Sequence, residues 1–343
     1  MTMKAAIMTK PFQIGIEEVP KPVPKPNEVL VKMEAAGICG GDIHYYDGTH
    51  PYAVYPQIYG HELSGVVVSV GADVTKLAVG DPVIVEPTVA CGSCYPCRIG
   101  KYNCCVKIDM IGGFRPGGFA DFVTVPEAYA HLMPDGMSHE VGALCEPFSI
   151  GAQVVHRAGA HEGAVITILG VGPIGLTALI MLKRMYRDVT VYAVDVVAER
   201  LARAKQFGAD GLINPREQNT LETIMKLTGG EGSHIVIESA GLKLTMEQSI
   251  QLVSPGGRIV IVGLTNDEVT FPGVLFTKKE VEIFGSRNNA GRFPEVIDFL
   301  HRNSDIADGF VSLRMPFTDI AEALHLAKTK PGEVNKIILT YEG

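Results

Sequence analysis

Positive charge is scarce in this chain. Lys and Arg number 30 against 38 Asp and Glu, a formal charge of −8, and no run of lysine and arginine forms a basic stripe. That excludes nucleic acid as its main partner. Tryptophan is absent, and neither an internal repeat nor a low-complexity linker interrupts the sequence. The opening residues, MTMKAAIMTKPFQIGIEE, lack an uninterrupted apolar core and soon turn acidic, so no secretory signal is expected and a cytoplasmic location is. Long apolar runs are also missing, with one exception. Ala164 to Leu182 carries no charge over 19 residues, enough for a membrane span. However, Gly170, Gly172, Pro173 and Gly175 break it and no second span accompanies it, so no membrane partner is expected. What remains is a globular composition, 46% hydrophobic, in 343 residues, which predicts two domains.

Character changes twice along the chain. Up to about residue 150, short β-branched runs such as EVLVKM, ELSGVVVSVG and FADFVTVP alternate with Gly and Pro, predicting a compact, largely antiparallel β unit. From 151 to 286, apolar runs alternate with helical-period segments: VITIL with IGLTALIMLKRMY, VTVYAVD with AERLARAKQFG, HIVIES with KLTMEQSIQLV. That alternation predicts a parallel sheet with helices on both faces. Residues 287–343 mix two helices with a last strand, KIILTY, and are expected to return to the first domain. The fold class is therefore α/β, with one domain inserted near the C-terminal end of another.

Gly170, Gly172, Pro173, Ile174 and Gly175 form a G-x-G-x-x-G turn after the apolar strand Val165 to Leu169 and at the head of a helix. In that context the glycines permit a tight turn, close approach of a pyrophosphate and close helix packing. The helix N-terminus supplies partial positive charge. Asp195, 20 residues after Gly175, is placed to accept from an adenosine ribose and to repel a 2′-phosphate, so NAD is expected over NADP. Arg200 is a candidate for the adenine end.

Five of the seven cysteines fall in CGSCYPCRIGKYNCC. Cys91, Cys94 and Cys97, with Cys104 or Cys105 as the fourth thiolate, suit a closed, structural tetrahedral zinc site. An odd count and local clustering argue against a disulfide framework. Cys39 in GICGGDIH, His61 and Glu62 in GHE, and Glu146 in CEPFS are candidates for a second, open zinc site. Spacing alone does not bring them together.

GICGGDIH, GHELSGVV, VGDPV, the four-Cys lobe, CEPFSIG, GVGPIG and Asp195 together resemble the medium-chain, zinc-dependent alcohol and polyol dehydrogenases over essentially the whole chain. The resemblance implies a GroES-like β-rich catalytic domain, a Rossmann coenzyme domain, two zinc ions per subunit, NAD, and a homodimer or homotetramer. It implies Cys105 as the fourth lobe ligand. It carries the catalytic ligands to Cys39, His61 and Glu146, with Glu62 beside the metal or exchanging with it; Glu146 marks the sorbitol-type branch. Zinc and nicotinamide together imply a Lewis acid that acidifies a substrate hydroxyl while hydride passes to the coenzyme.

One position departs from that family. The residue two after the ligand Cys is usually Ser or Thr, a proton-relay hydroxyl; here it is Gly41, which cannot relay. Water reaching His44, or zinc-bound water acting through Glu62 or Glu146, is the expected substitute. For the substrate, Ser286-Arg287, Asn289-Ala290 and Phe293-Pro294 resemble a bacterial subgroup oxidising sugar acids such as L-gulonate and L-galactonate at C5. Arg287, Arg292 and Arg115 are candidate carboxylate binders and Asn289 a hydroxyl binder, with pairing to coenzyme phosphates or local acids the alternative for the arginines. Tyr45 and Tyr46 are candidate cleft residues. The competing readings are a sorbitol-like polyol dehydrogenase and a non-catalytic NAD-binding regulator with structural zinc only.

Overall fold

The structure, a computed structural model, describes residues 1–342, which group into two compact units: Met1–Pro147 with the stretch from Ala290 onward, and Phe148–Asn289. No helix among these residues is long and apolar enough to cross a membrane.

In the second unit, six strands form one sheet in the order Gly211–Ile213, Val189–Val194, Ala164–Leu169, Ser233–Glu238, Val253–Ile261, Glu282–Gly285. All neighbours are parallel. Sequence order runs outward from Ala164–Leu169 to one edge, then restarts with Ser233–Glu238 on its other side. Ligands of such sheets bind at the carboxyl ends of the strands flanking that reversal. The strands are nearly continuous apolar runs because helices cover both faces: Ala164, Ile166, Ile168 and Leu169 are fully buried. The uncharged run of Ala164 to Leu182 resolves into this first strand, the glycine turn and most of the helix Pro173–Met185. Gly172 is its N-cap and Pro173 opens it, a position that needs no N–H donor.

A seven-stranded sheet dominates the first unit. Its centre is Glu28–Gly37, which pairs antiparallel with Glu62–Val70, Phe122–Pro126 and the C-terminal strand Ile337–Thr340. Burial on both faces of Glu28–Gly37 follows from this central place. Leu313–Pro316 adds to Ile337–Thr340 in parallel. The C-terminal segment is thus part of the sheet that positions the first metal-ligand candidates. CEPFSIG lies in the helix Cys145–Ala158.

Candidate active site

Cys39 follows the strand Glu28–Gly37 and caps the helix Gly40–Asp47. Its Sγ accepts from Gly41 N at 3.4 Å, and Asp42 Oδ2 accepts from Cys39 N at 2.9 Å. This is a capping box with thiol and carboxylate in place of the usual hydroxyl and Glu, and it fixes the direction of the thiol. His61 and Glu62 stand at the head of the paired strand Glu62–Val70, whose register sets Gly37 opposite Glu62. Gly37 has no alternative there, because a Cβ would lie 2.0 Å from Glu62 Oε2. Ligand atoms of Cys39, His61 and Glu62 gather within 4.8 Å of one another. Glu146, in the first turn of Cys145–Ala158, is 7% exposed and feels the charges of His61, Glu62, Lys336 and Asp42.

Two further residues, unmarked in the sequence reading, complete this cluster. Asp42 is fully buried, with Oδ1 3.6 Å from His61 Nδ1. Neither atom has a hydrogen-bond partner among the described residues. A carboxylate behind a ligand imidazole fixes its orientation and raises its basicity. Lys336, next to the C-terminal strand, puts Nζ 2.6 and 2.7 Å from the two oxygens of Glu62 and 2.9 Å from the Ile38 carbonyl. Both side chains of this ion pair are buried. Asp42 carries a readable signal, its place three residues after a capping residue. Lys336 carries none, since it lies 274 residues from its partner.

The electrostatics of the cluster are lopsided. Burial pushes the Glu146 carboxyl up to about 7, against the attraction of His61 and Lys336 and with the help of Glu62 and Asp42. Asp42 is also raised by burial. Burial would lower His61, yet Asp42, Cys39 and Glu146 hold it well above the usual imidazole range. Four acidic groups thus surround one imidazole and one lysine. The thiolate, imidazole and carboxylate donors are those of zinc, and the surplus of negative charge suits a divalent cation.

Around the Gly41 departure, the space beside Cys39 is open: a Cβ on Gly41 would sit 3.8 Å from Cys39 Sγ, ordinary contact. His44 is exposed, with Nδ1 2.9 Å from Thr49 Oγ1, which donates to Asp47 Oδ1 at 2.6 Å. Burial opposes ionisation of Asp47, but Lys328 and Thr49 hold its carboxyl below the usual range. The Thr49 proton therefore goes to the carboxylate, and Thr49 accepts from His44 Nδ1–H. In that tautomer Nε2 is the nitrogen open to accept a proton.

The lobe is a different construction. The sulfurs of Cys91, Cys94, Cys97 and Cys105 cluster within 4.8 Å, with Cys94 Sγ 3.3 Å from Cys97 and 3.8 Å from Cys105. A zinc tetrahedron with 2.3 Å bonds has sulfur–sulfur edges of about 3.8 Å, so these four fit it. Cys104 is exposed and outside the cluster. Hydrogen bonds from the Ser93 backbone and side chain and from Cys94 N lower the Cys91 thiol to about 5, and burial pushes Cys97 up to about 12.

In the second unit, Gly170 adopts φ +87° at the end of its strand, and a Cβ there would meet Ala240 N at 2.7 Å. A Cβ on Gly175 would lie 2.1 Å from the Gly170 carbonyl, so the third glycine permits the close helix approach. Asp195 is buried at the end of Val189–Val194, and accepts from Val171 N and Val197 N, both at 3.0 Å. Arg200, in the helix Ala198–Gln206, places Nη1 3.7 Å from Asp195 Oδ2. Gly172, Pro173, Ile174, Asp195 and Arg200 thus converge on one helix N-terminus.

The substrate candidates are scattered, and Arg115 needs correction. Arg115 donates to Glu28 at 2.6 Å and lies 3.6 Å from Asp109. Its guanidinium is committed to local acids and is not an anion subsite. Tyr45 is buried, stacked on Tyr59 at 4.2 Å with His50 tilted against it at 4.0 Å, and it feels the charges of Asp42 and Cys39. Arg287 is exposed and Asn289 buried. Arg292 pairs with Glu295 at 3.0 Å.

Comparison with known proteins agrees with this chemistry. Residues 25–135 match the alcohol dehydrogenase GroES-like domain and residues 173–302 the zinc-binding dehydrogenase family. Sorbitol dehydrogenase of Bacillus subtilis is 36% identical over 92% of this chain and 89% of its own. L-galactonate-5-dehydrogenase of Escherichia coli is 33% identical over 99% of both chains. The crystal structure of a short chain alcohol dehydrogenase (rspB) from E. coli CFT073, complexed with NADH, superimposes with a TM-score of 0.94 at 36% identity, covering 99% of both. On these matches the chain belongs to the zinc-binding, medium-chain alcohol and polyol dehydrogenases.

Proposed function

We propose that this dehydrogenase oxidises a secondary alcohol of a sugar acid, a hexonate such as L-gulonate or L-galactonate at C5, to the ketone with NAD. The observation that carries the reading is the presence in one chain of the Cys39–His61–Glu62 cluster with Glu146 nearby and a complete glycine turn backed by Asp195. Similarity to L-galactonate-5-dehydrogenase and the Ser286 to Pro294 pattern favour the hexonate.

Cys39, His61 and Glu146 would hold a catalytic zinc; Cys91, Cys94, Cys97 and Cys105 a structural one; the 170–175 turn, Asp195 and Arg200 the coenzyme. When bound, zinc would lower the pKa of a substrate hydroxyl, and NAD would accept a hydride, two electrons and one proton, from the carbinol carbon. Asp42 orients His61. Lys336 neutralises Glu62, so that Glu146 is the carboxylate left for the metal. His44 Nε2, its tautomer set by Thr49 and Asp47, accepts the hydroxyl proton through water, because Gly41 offers no hydroxyl. Asp195 disfavours a 2′-phosphate, so NAD is preferred to NADP. Arg287 and Asn289 are the remaining contacts for the acid. Thiolate ligands call for a reducing compartment, which fits the cytoplasm.

A neutral polyol is the second reading, favoured by the similarity to sorbitol dehydrogenase and by the loss of Arg115 as an anion contact. Reduction of NAD across hexonates, polyols and simple alcohols tests both. Turnover of hexonates above polyols is expected; polyols alone would overturn the sugar-acid assignment, and no turnover of any would overturn the enzyme reading. Gly41→Ser, which fits the open space, is expected to leave turnover equal or higher.

A further inference from the structure

Glu238 ends the strand Ser233–Glu238, one of the two that flank the reversal of strand order, and is fully buried. Its Oε1 accepts from Ala240 N at 3.1 Å, Gly241 N at 2.9 Å and Thr245 Oγ1 at 2.7 Å, and so gathers the loop that follows its own strand. Its backbone carbonyl accepts from Val262 N at 2.9 Å and Gly263 N at 3.1 Å, and so holds the loop after Val253–Ile261. Oε2 is buried with no hydrogen-bond partner among the described residues. It occupies the space that Gly263 leaves open, where a Cβ would lie 2.6 Å away. The same loop closes on the glycine turn: Ser239 Oγ donates to the Gly170 carbonyl at 2.5 Å, and Ala240 fills the space beside Gly170.

We infer that Glu238 is a positioning residue for the coenzyme, stapling the 239–245 and 262–264 loops against the phosphate-binding turn so that the dinucleotide meets a preformed cradle. The inference rests on the reading that this chain binds NAD. A loop staple needs no charge. An amide oxygen would serve the same donors without the cost of a buried carboxylate, and burial pushes this carboxyl above its ordinary range despite three donors. Its place at the carboxyl ends of the strands, beside the order reversal, ties the staple to the dinucleotide crevice.

The test is titration of the holoenzyme with NADH, followed by fluorescence, alongside KM for NAD and kcat. Glu238→Ala is expected to weaken NADH binding about tenfold, about 1.4 kcal/mol. KM for NAD should rise in parallel, with kcat at saturating NAD and zinc content near wild type. Glu238→Gln, which keeps an acceptor at Oε1, should recover most of the affinity. A folded Glu238→Ala protein that binds NADH as wild type does overturns the inference. So does loss of kcat and KM effects together without a change in NADH affinity, which marks a merely structural role. If Glu238→Ala does not fold, Thr245→Val, which removes one donor at a half-buried position, must raise the NADH dissociation constant about threefold; no change overturns the proposal. Failure of the wild-type protein itself to bind NADH would instead overturn the NAD reading.

Discussion

The lobe draws four thiols from fifteen consecutive residues, Cys91 to Cys105, most of them half-buried or exposed. The Cys39 cluster draws one residue from a helix cap, two from a strand start and one from a later helix. It is completed by a lysine beside the C-terminal strand, and all but Cys39 are buried. The lobe has four soft donors, so a metal there would be closed off. The other cluster has mixed donors, a carboxylate behind its imidazole and a neutralised Glu62, which leaves it fewer ligands and a tunable surrounding. On the proposed assignment, chain locality accompanies the structural role, and assembly from distant segments the catalytic one.

The sharpest way to break this contrast is to remove one thiol from each cluster. Cys39→Ser is expected to lose one zinc per subunit by metal analysis and roughly a thousandfold in turnover, since metal stabilisation of several kcal/mol is removed. Cys94→Ser is expected to lose the other zinc and lower the melting temperature, while its folded fraction keeps most of its turnover. Equal catalytic losses would erase the division of labour. Next in size, Lys336→Met leaves Glu62 as an uncompensated buried charge and should cost about 3–5 kcal/mol in denaturant unfolding. The double variant Glu62→Gln/Lys336→Met should recover much of that. Asp42→Asn should weaken zinc at the Cys39 cluster by about 10–100-fold in chelator competition and leave the lobe metal unmoved.

The smallest effect belongs to the corrected Arg115. Burial works against the Glu28 carboxylate, but hydrogen bonds from Arg115 and Lys25 N hold its pKa below the ordinary value of 4.5. Its folded-state value is the lower one, so its stabilisation is present above about pH 4.5 and disappears as pH falls through the lowered value. Glu28→Gln should flatten the acid limb of an unfolding curve in that range without changing turnover at neutral pH. An unchanged acid limb would return Arg115 to the list of anion contacts.

Much of the fold could be read directly. The Ala164 to Leu182 run shows its strand, turn and helix because a buried parallel strand and a phosphate turn each carry a local pattern. Cys91, Cys94 and Cys97 are legible for the same reason, and the model of four clustered sulfurs needs only a fourth nearby. Arg115 misled because a charged side chain in a glycine-rich segment says nothing about what stands opposite it. Glu28 is 87 residues from Arg115, and no spacing rule connects them.

Period, spacing and turn chemistry act over one to about twenty residues, so the sequence by itself determined the two kinds of domain, the dinucleotide turn with Asp195, and the lobe thiols. Resemblance added which distant residues belong to one metal. Only the tertiary structure decided that Asp42 stands behind His61 and that Lys336 holds both oxygens of Glu62. Those outcomes depend on sheet register and on a C-terminal strand returning beside Glu28–Gly37. Burial then sets the electrostatics, since the same acids spread over solvent would neither shift one another nor need a cation among them.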